Sequence, residues 1–441
     1  MTRQIRYGIG AFDREILRMT LPTVLSNISV LLLGLCDTAV AGHMPHEMYL
    51  ASVAIGSVMV TTSYWLFSFL RAGTSGLTAT AYGSGDKEAM SGVLLRSLSL
   101  GVLLGILLLA IQSPLRDALL AVMGASSDVT ALSSRYFSIC IWGAVPMMVL
   151  TAISGWLIGM QSTDKAMMVN IGLSVLNVCA TLLSVYGLGL GFDGIPVGTL
   201  VAQWLVLVPA VWIVVRLARR HGLSFSGGKK TFFVWSGWRR LFGVNSNLFF
   251  RSACMIAATM ILYAYGARLG DVVTGANAVI NQLFLFFSYF MDGFAFTGEA
   301  MVGRFSGAGD HRSLIIAVRK LLKWTLVITL LFVAVYAVAL PSIVWLLTDS
   351  AAVAASVLSC RIWVLAIPVA GAAAFIYDGF YVGLTRTRPM LLSTVAGLAV
   401  FMALLFIVDH TQWMLWMSFT CYLALRALVL IVLFPLKLNR I

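Results

Sequence analysis

About twelve apolar runs, separated by polar or Gly/Pro punctuation, divide this chain into stretches that each supply the roughly 20 helical residues a bilayer core requires. They fall near 17–42, 48–82, 88–112, 128–159, 164–188, 193–217, 238–266, 272–306, 312–340, 350–384, 388–408 and 411–435. A soluble core cannot absorb them, because the 441 residues are 60% hydrophobic and only 11% charged. In lipid every backbone N–H and C=O must be satisfied within the protein, which leaves helices or closed barrels. The runs lack the short period-two alternation of barrel strands. The expected fold is therefore an all-α integral membrane protein of twelve transmembrane helices, several long enough to tilt or protrude.

The formal charge of +13 bears on orientation rather than on nucleic acid. With the N-terminus inside, the inner segments collect Arg3, Arg6, Arg14, Arg18, Lys87, Lys165, Arg216, Arg219, Arg220, Lys229 and Lys230 in the first half alone, whereas the outer loops hold little beyond Arg116 and Arg268. That bias is the positive-inside pattern; it places both termini in the cytoplasm of a multi-pass inner or plasma membrane protein and brings the basic ends against anionic lipid. Residues 1–18 are polar and basic, with no small-residue cleavage site before the first run, so no removable signal is expected. The six cysteines all lie in apolar runs without CxxC spacing and read as buried small residues, so neither a disulfide nor a metal site is expected.

An offset of 224 residues aligns the second half with the first. It pairs Tyr82-Gly83-Ser84-Gly85-Asp86 with Ser306-Gly307-Ala308-Gly309-Asp310, and Gly155-Trp156-Leu157-Ile158-Gly159 with Gly379-Phe380-Tyr381-Val382-Gly383, each at the same place in the hydropathy pattern. The chain reads as a duplication of six spans. Six spans return the chain to its starting side, so the halves share one orientation about an axis along the membrane normal. The expected organisation is a six-helix lobe over 1–217, a cytoplasmic linker over 218–237 containing SFSGGKK, and a second six-helix lobe over 238–441, paired about a pseudo-twofold axis around a central cleft.

Beyond the first residues of these spans, only four carboxylates fall inside them: Asp37, Asp292, Glu299 and Asp378. An ionisable group at the centre of a spanning helix costs roughly 2.5 to 3.5 kcal/mol on insertion scales, which makes each a functional-site hypothesis. Asp292 and Glu299 share a face two turns apart and, like Asp378, are open to either a transport role or a buried ion pair with Arg71, Arg251, Arg361 or Arg426. Asp37 has no basic residue within two turns on its own helix, so protonation is the simplest relief of its charge. It is the candidate proton-coupling residue, with Pro22 as the hinge of helix one. Asn170, Asn177 and Thr181 on helix five, with Thr199 and Gln203 on helix six, are candidate hydrogen-bonding partners, although such residues also serve as plain helix glue. Tyr64, Trp65, Met147, Phe287 and Tyr289 are candidates for a deformable cleft that takes flat, apolar or cationic ligands.

The runs LPTVLSN, GLCDTAVAGH, YLASVAIG and FLRAGTSGLTATAYG, with MDGFAFTGEA, YDGFYVG and LALRALVL, resemble the DinF branch of the multidrug and toxic compound extrusion (MATE) transporters across essentially the whole chain. The resemblance implies a two-lobed secondary antiporter exporting cationic or amphiphilic small molecules against protons or sodium, without cofactor, and not an enzyme. It implies that Asp37 is the protonation site and that Asn177 and Thr199 belong to its network. Many members carry a second carboxylate one turn after that Asn, where this chain has Thr181; the departure favours protons over sodium. A flippase of a lipid-linked precursor is the alternative from a related class; its several cleft cations are not matched here, where buried arginines interleave with acids. The five histidines are scattered and no nucleophile elbow, phosphate loop or metal spacing is present, which argues against an intramembrane enzyme. Small-molecule substrates and membrane lipid are the expected partners, nucleic acid is not, and the chain is expected to be a monomer.

Overall fold

The computed structural model describes residues 9–123, 126–223, 232–407 and 411–434. The linker motif, 224–230, lies outside the described residues. Those residues fold into helices without a strand among them: α1 (Ile9–Gly42), α2 (Glu47–Trp65), α3 (Phe69–Ser84), α4 (Lys87–Ala110), α5 (Gln112–Met123), α6 (Ser127–Cys140), α7 (Ala144–Gly159), α8 (Thr163–Leu182), α9 (Gly194–Arg220), α10 (Trp235–Arg268), α11 (Asp271–Gly307), α12 (His311–Leu347), α13 (Ala351–Ser359), α14 (Arg361–Gly383), α15 (Arg388–Ile407) and α16 (Gln412–Leu433). Eleven helical segments among the described residues are long and apolar enough to cross a membrane, and α1 adds a helix of 34 residues. At 1.5 Å per residue α1 spans about 50 Å, well beyond a hydrocarbon core of about 30 Å.

Three of the anticipated spans are each two helices. The second breaks at Leu66–Ser68, where Phe67 and Ser68 donate to Tyr64 and Trp65, three residues back, and tighten the ladder into a turn without any proline. The fourth breaks at a 3₁₀ turn over Ile141–Gly143, and Pro146 sits in the first turn of α7, where its missing N–H costs little. The tenth breaks at Cys360, between α13 and α14. α1 instead runs unbroken through Pro22.

Packing divides the chain into two compact units, Leu25–Phe242 and Met1–Val24 with Gly243–Ile441. The first turns of α1 thus belong with the second half of the sequence. Phe12 is 1% exposed, its ring 5.8 Å from that of Phe305. The Asp13 carboxylate accepts from Lys320 Nζ at 2.6 Å and Trp324 Nε1 at 3.0 Å. The Arg304 fork donates to both Glu15 oxygens at 2.7 and 3.2 Å, a charge-assisted bidentate pair.

The 224-residue repeat is written into the backbone. Gly85 and Gly309 close α3 and α11 in left-handed conformation, with φ of 70° and 66°. Just beyond them, Asp86 and Asp310 cap the next helices by accepting from Ala89 N and Ser313 N. Gln161 and Thr385 are the non-glycine residues at positive φ among the described residues, 58° and 55°, again at the same offset. Helix contacts repeat as well. A Cβ on Gly155 would lie 2.3 Å from the Arg71 carbonyl oxygen, and one on Gly379 would lie 2.3 Å from the equivalent Ala295 oxygen. These glycines let α7 press onto α3 and α14 onto α11.

Candidate functional site

The polar residues singled out in the first half converge inside the Leu25–Phe242 unit. α1 and α8 run side by side in parallel, joined by a ladder with matched spacing. Asn170 Nδ2 donates to Ser26 Oγ at 2.8 Å. One turn on, the Ser174 hydroxyl lies 3.4 Å from the Ser29 carbonyl. Eleven residues beyond Ser26 and Asn170, three turns of helix, the register brings together Asp37 and Thr181. The Thr181 hydroxyl faces the Asp37 carboxylate but falls short of hydrogen-bond geometry, leaving its own oxygen and Asp37 Oδ1 buried without partners.

Asp37 is 4% exposed and makes no ion pair among the described residues. From Thr181 further hydroxyl and amide groups extend across α8 and α9. Asn177 Nδ2 donates to Thr199 Oγ1 at 2.9 Å, tying α8 to α9, while Asn177 Oδ1 is left without a partner. Gly198 makes that approach possible, since a Cβ there would lie 2.4 Å from Thr181 Cα. Gln203 packs directly on Gly143, where a Cβ would meet its Oε1 at 1.5 Å. On the other side of Gln203 stands Tyr64, whose hydroxyl donates to the Cys140 carbonyl at 3.1 Å.

Asn170 therefore sits apart from the carboxylate, as a rung between α8 and Ser26. Two neighbours of Asp37 carried no signal in the sequence: Tyr136 and Cys140, one turn apart on α6, 3% and 0% exposed, lie close enough to feel its charge. The Tyr136 hydroxyl also accepts from Ser57 Oγ at 3.2 Å. In an apolar span a Tyr and a Cys look like core, and only the fold distinguishes them.

The other unit is built differently. Asp378 on α14 is held between Arg251 on α10 and Arg426 on α16, the latter donating at 2.9 Å. Arg426 is 3% exposed and Asp378 7%, so this is a buried ion cluster that ties three helices together. Glu299 is buried at 3% and Asp292 is half-buried, and both have interaction partners. Phe287 is fully buried, packing edge-on against Phe332 and Phe375 with centroids 5.3 and 6.3 Å apart, a place in the core of its unit. Tyr289 and Met147 are half-buried, and Trp65 is 43% exposed.

At the 224-residue offset the two units carry different chemistry. Asp37, Asn177, Thr181, Thr199 and Gln203 correspond to Ile261, Phe401, Leu405, Leu423 and Ala427, whereas Arg251, Asp378 and Arg426 correspond to Asn27, Ser154 and Ala202.

The MatE family profile matches residues 22–183 and 248–408, one copy in each half. DNA damage-inducible protein F of Escherichia coli (strain K12) is 31% identical over 423 residues, covering 95% of this chain and 91% of its own length. Two solved structures share the fold: MATE in the bent conformation, with a TM-score of 0.86, 18% identity and 96% and 95% of the two chains covered, and MATE in the straight conformation, with a TM-score of 0.82, 19% identity and 95% and 94% covered.

Proposed function

The chain belongs to the MatE family of membrane transporters, and on that premise we propose that it is a proton-coupled antiporter that expels cationic or amphiphilic small molecules. The observation that carries the reading is Asp37: a carboxylate 4% exposed, with one oxygen unpartnered and no cation beside it among the described residues. A charge so placed is relieved by taking up a proton, and the proton changes what it offers its neighbours, from acceptor only to donor and acceptor. Asn177, Thr181, Thr199 and Gln203 stand ready to respond, because three of them leave an oxygen atom unpartnered. Protonation from the outer side then shifts α1 against α8 and releases substrate, with both termini cytoplasmic. A potential of 100 mV supplies about 2.3 kcal/mol per charge moved, enough for a roughly fiftyfold gradient.

One observation favours a second reading, coupling to sodium. Asp37 Oδ1, Thr181 Oγ1 and Asn177 Oδ1 are all unpartnered oxygens, the ligand type a hard cation prefers. The single carboxylate keeps protons first. Dye efflux from proteoliposomes under an imposed pH gradient, with and without sodium, decides between them. Asp37→Asn, checked for an unchanged melting temperature, should abolish pH-driven efflux. Full efflux by that variant would overturn the role of Asp37, and efflux that responds to sodium alone would overturn the choice of ion.

A further inference from the structure

At the end of the Leu25–Phe242 unit where α8 begins and α9 finishes, a groove of about 230 Å³ opens between the two helices. Trp212, Arg216 and Arg220 follow one another at four-residue spacing down one face of α9, and Lys165 and Met168 line the groove from α8. The lining is graded. Trp212, Met168 and Ile213 form its apolar part, and Lys165 and Arg220 lie at the helix ends. From Trp212 to Arg220 is about 12 Å along the axis, the scale of the step from acyl chain to headgroup.

The charge at this end is not balanced from within. Lys165 pairs with Asp164 at 3.4 Å, a solvent-facing contact whose carboxylate is 59% exposed. Arg216 stacks over Trp212 with its guanidinium carbon 4.9 Å from the ring centroid, an arrangement that leaves its donors directed away from the ring. Three cations against one carboxylate leave two positive charges over an apolar slot, in a chain that spans the membrane. The positive-inside pattern puts this end at the cytoplasmic leaflet.

We propose that this groove binds an anionic phospholipid of the cytoplasmic leaflet, its phosphodiester held by Arg216, Arg220 and Lys165 and its acyl chain laid against Met168, Trp212 and Ile213. Basic pockets between helices at this level are where anionic headgroups are recognised. The apolar part of the slot commits the occupant to lipid rather than to a free phosphate, which would use only the cationic end.

Native mass spectrometry of the purified full chain, titrated with phosphatidylglycerol or phosphatidylcholine, tests this. One phosphatidylglycerol should be retained in preference to phosphatidylcholine, and Arg216→Gln and Arg220→Gln should each weaken it about fivefold. Arg219→Gln removes an exposed cation of α9 that does not line the groove and should leave affinity unchanged. Trp212→Ala should weaken the lipid without changing the retention of inorganic phosphate. Equal effects of Arg219→Gln and Arg216→Gln would reduce the site to general surface charge and overturn the proposal. So would equal retention of the two lipids, or full displacement of the lipid by inorganic phosphate at equal concentration.

Discussion

Gly198→Ala puts the geometry around Asp37 to a quantitative test. The added methyl carbon would fall 2.4 Å from Thr181 Cα and 2.6 Å from Thr181 Oγ1. Contact at ordinary van der Waals range needs about 1 Å more, and the obstacle is backbone, which cannot swing aside as a side chain does. If α9 retreats by that amount, the Asn177–Thr199 hydrogen bond stretches from 2.9 Å to about 3.9 Å and is lost. Overpacking of this kind costs about 1–3 kcal/mol. Gly172→Ala is the control, since its methyl would meet nothing nearer than Val206 Cγ2 at 3.8 Å and gains helix propensity. Thermal unfolding in detergent should therefore show Gly198→Ala melting lower while Gly172→Ala melts at or above the unsubstituted protein. On the proposed function Gly198→Ala should also slow pH-driven efflux in proteoliposomes, because the loosened α8–α9 contact lies against Thr181, which faces Asp37. Equal melting temperatures for the two variants, with efflux intact in both, would refute the close α8–α9 approach as a working part of the site.

Asp378→Asn strands two guanidinium groups, so it should cost about 3–5 kcal/mol. Arg251→Gln leaves Asp378 its bond to Arg426 and should cost clearly less; equal losses on thermal unfolding would refute the shared pairing. Gly155→Ala and Gly379→Ala meet the same 2.3 Å obstruction in equivalent positions, so each should lose about 1–3 kcal/mol of stability and their melting temperatures should fall by similar amounts. The hydrogen bond from Lys320 holds the Asp13 carboxyl below its ordinary value of 3.8. A lowered folded value means its stabilisation is present above 3.8 and disappears as pH falls through that lower value. Asp13→Asn should thus melt lower at neutral pH, with under about 1 kcal/mol of stability lost for a part-exposed pair, and match the unsubstituted protein in strong acid.

The duplication could be read directly because it is carried by residues with no substitutes. Gly85 and Gly309 at positive φ, and Gly155 and Gly379 against a carbonyl, are demanded by the backbone itself, so they survive in the sequence as matched letters. Asp37 was legible for the opposite reason, as one costly charge in an apolar run, and its register with Thr181 follows from equal spacing on two parallel helices. What the sequence withheld is partner choice across long separations. Four arginines were available to four acids, and nothing local selects Arg251 and Arg426 for Asp378, which lie 127 and 48 residues away. Nor does hydropathy foretell that Asp13 and Glu15 anchor the start of α1 to α12 and α11 some 300 residues on. The break between α2 and α3 was also hidden, because a shift to three-residue hydrogen bonds needs no proline or glycine.

The repeat also bears on whether the polar cluster around Asp37 is glue or function. Were those side chains required to hold such a six-helix unit together, the equivalent helices would need some polar substitute. They have Ile261, Phe401, Leu405, Leu423 and Ala427 instead, so at these positions the same helix arrangement closes with apolar side chains. The converse holds for the ion cluster, where Asn27, Ser154 and Ala202 stand in place of Arg251, Asp378 and Arg426. Each unit thus carries a polar feature that its own scaffold can be built without. For the ion cluster the carboxylate is paired with two guanidinium groups, and a structural role is a sufficient account. Asp37 has no such cation among the described residues, and a buried carboxylate without a counter-charge destabilises the unit that holds it. A group that costs stability and is dispensable to the scaffold fits the proposed role, in which it acts by changing its charge.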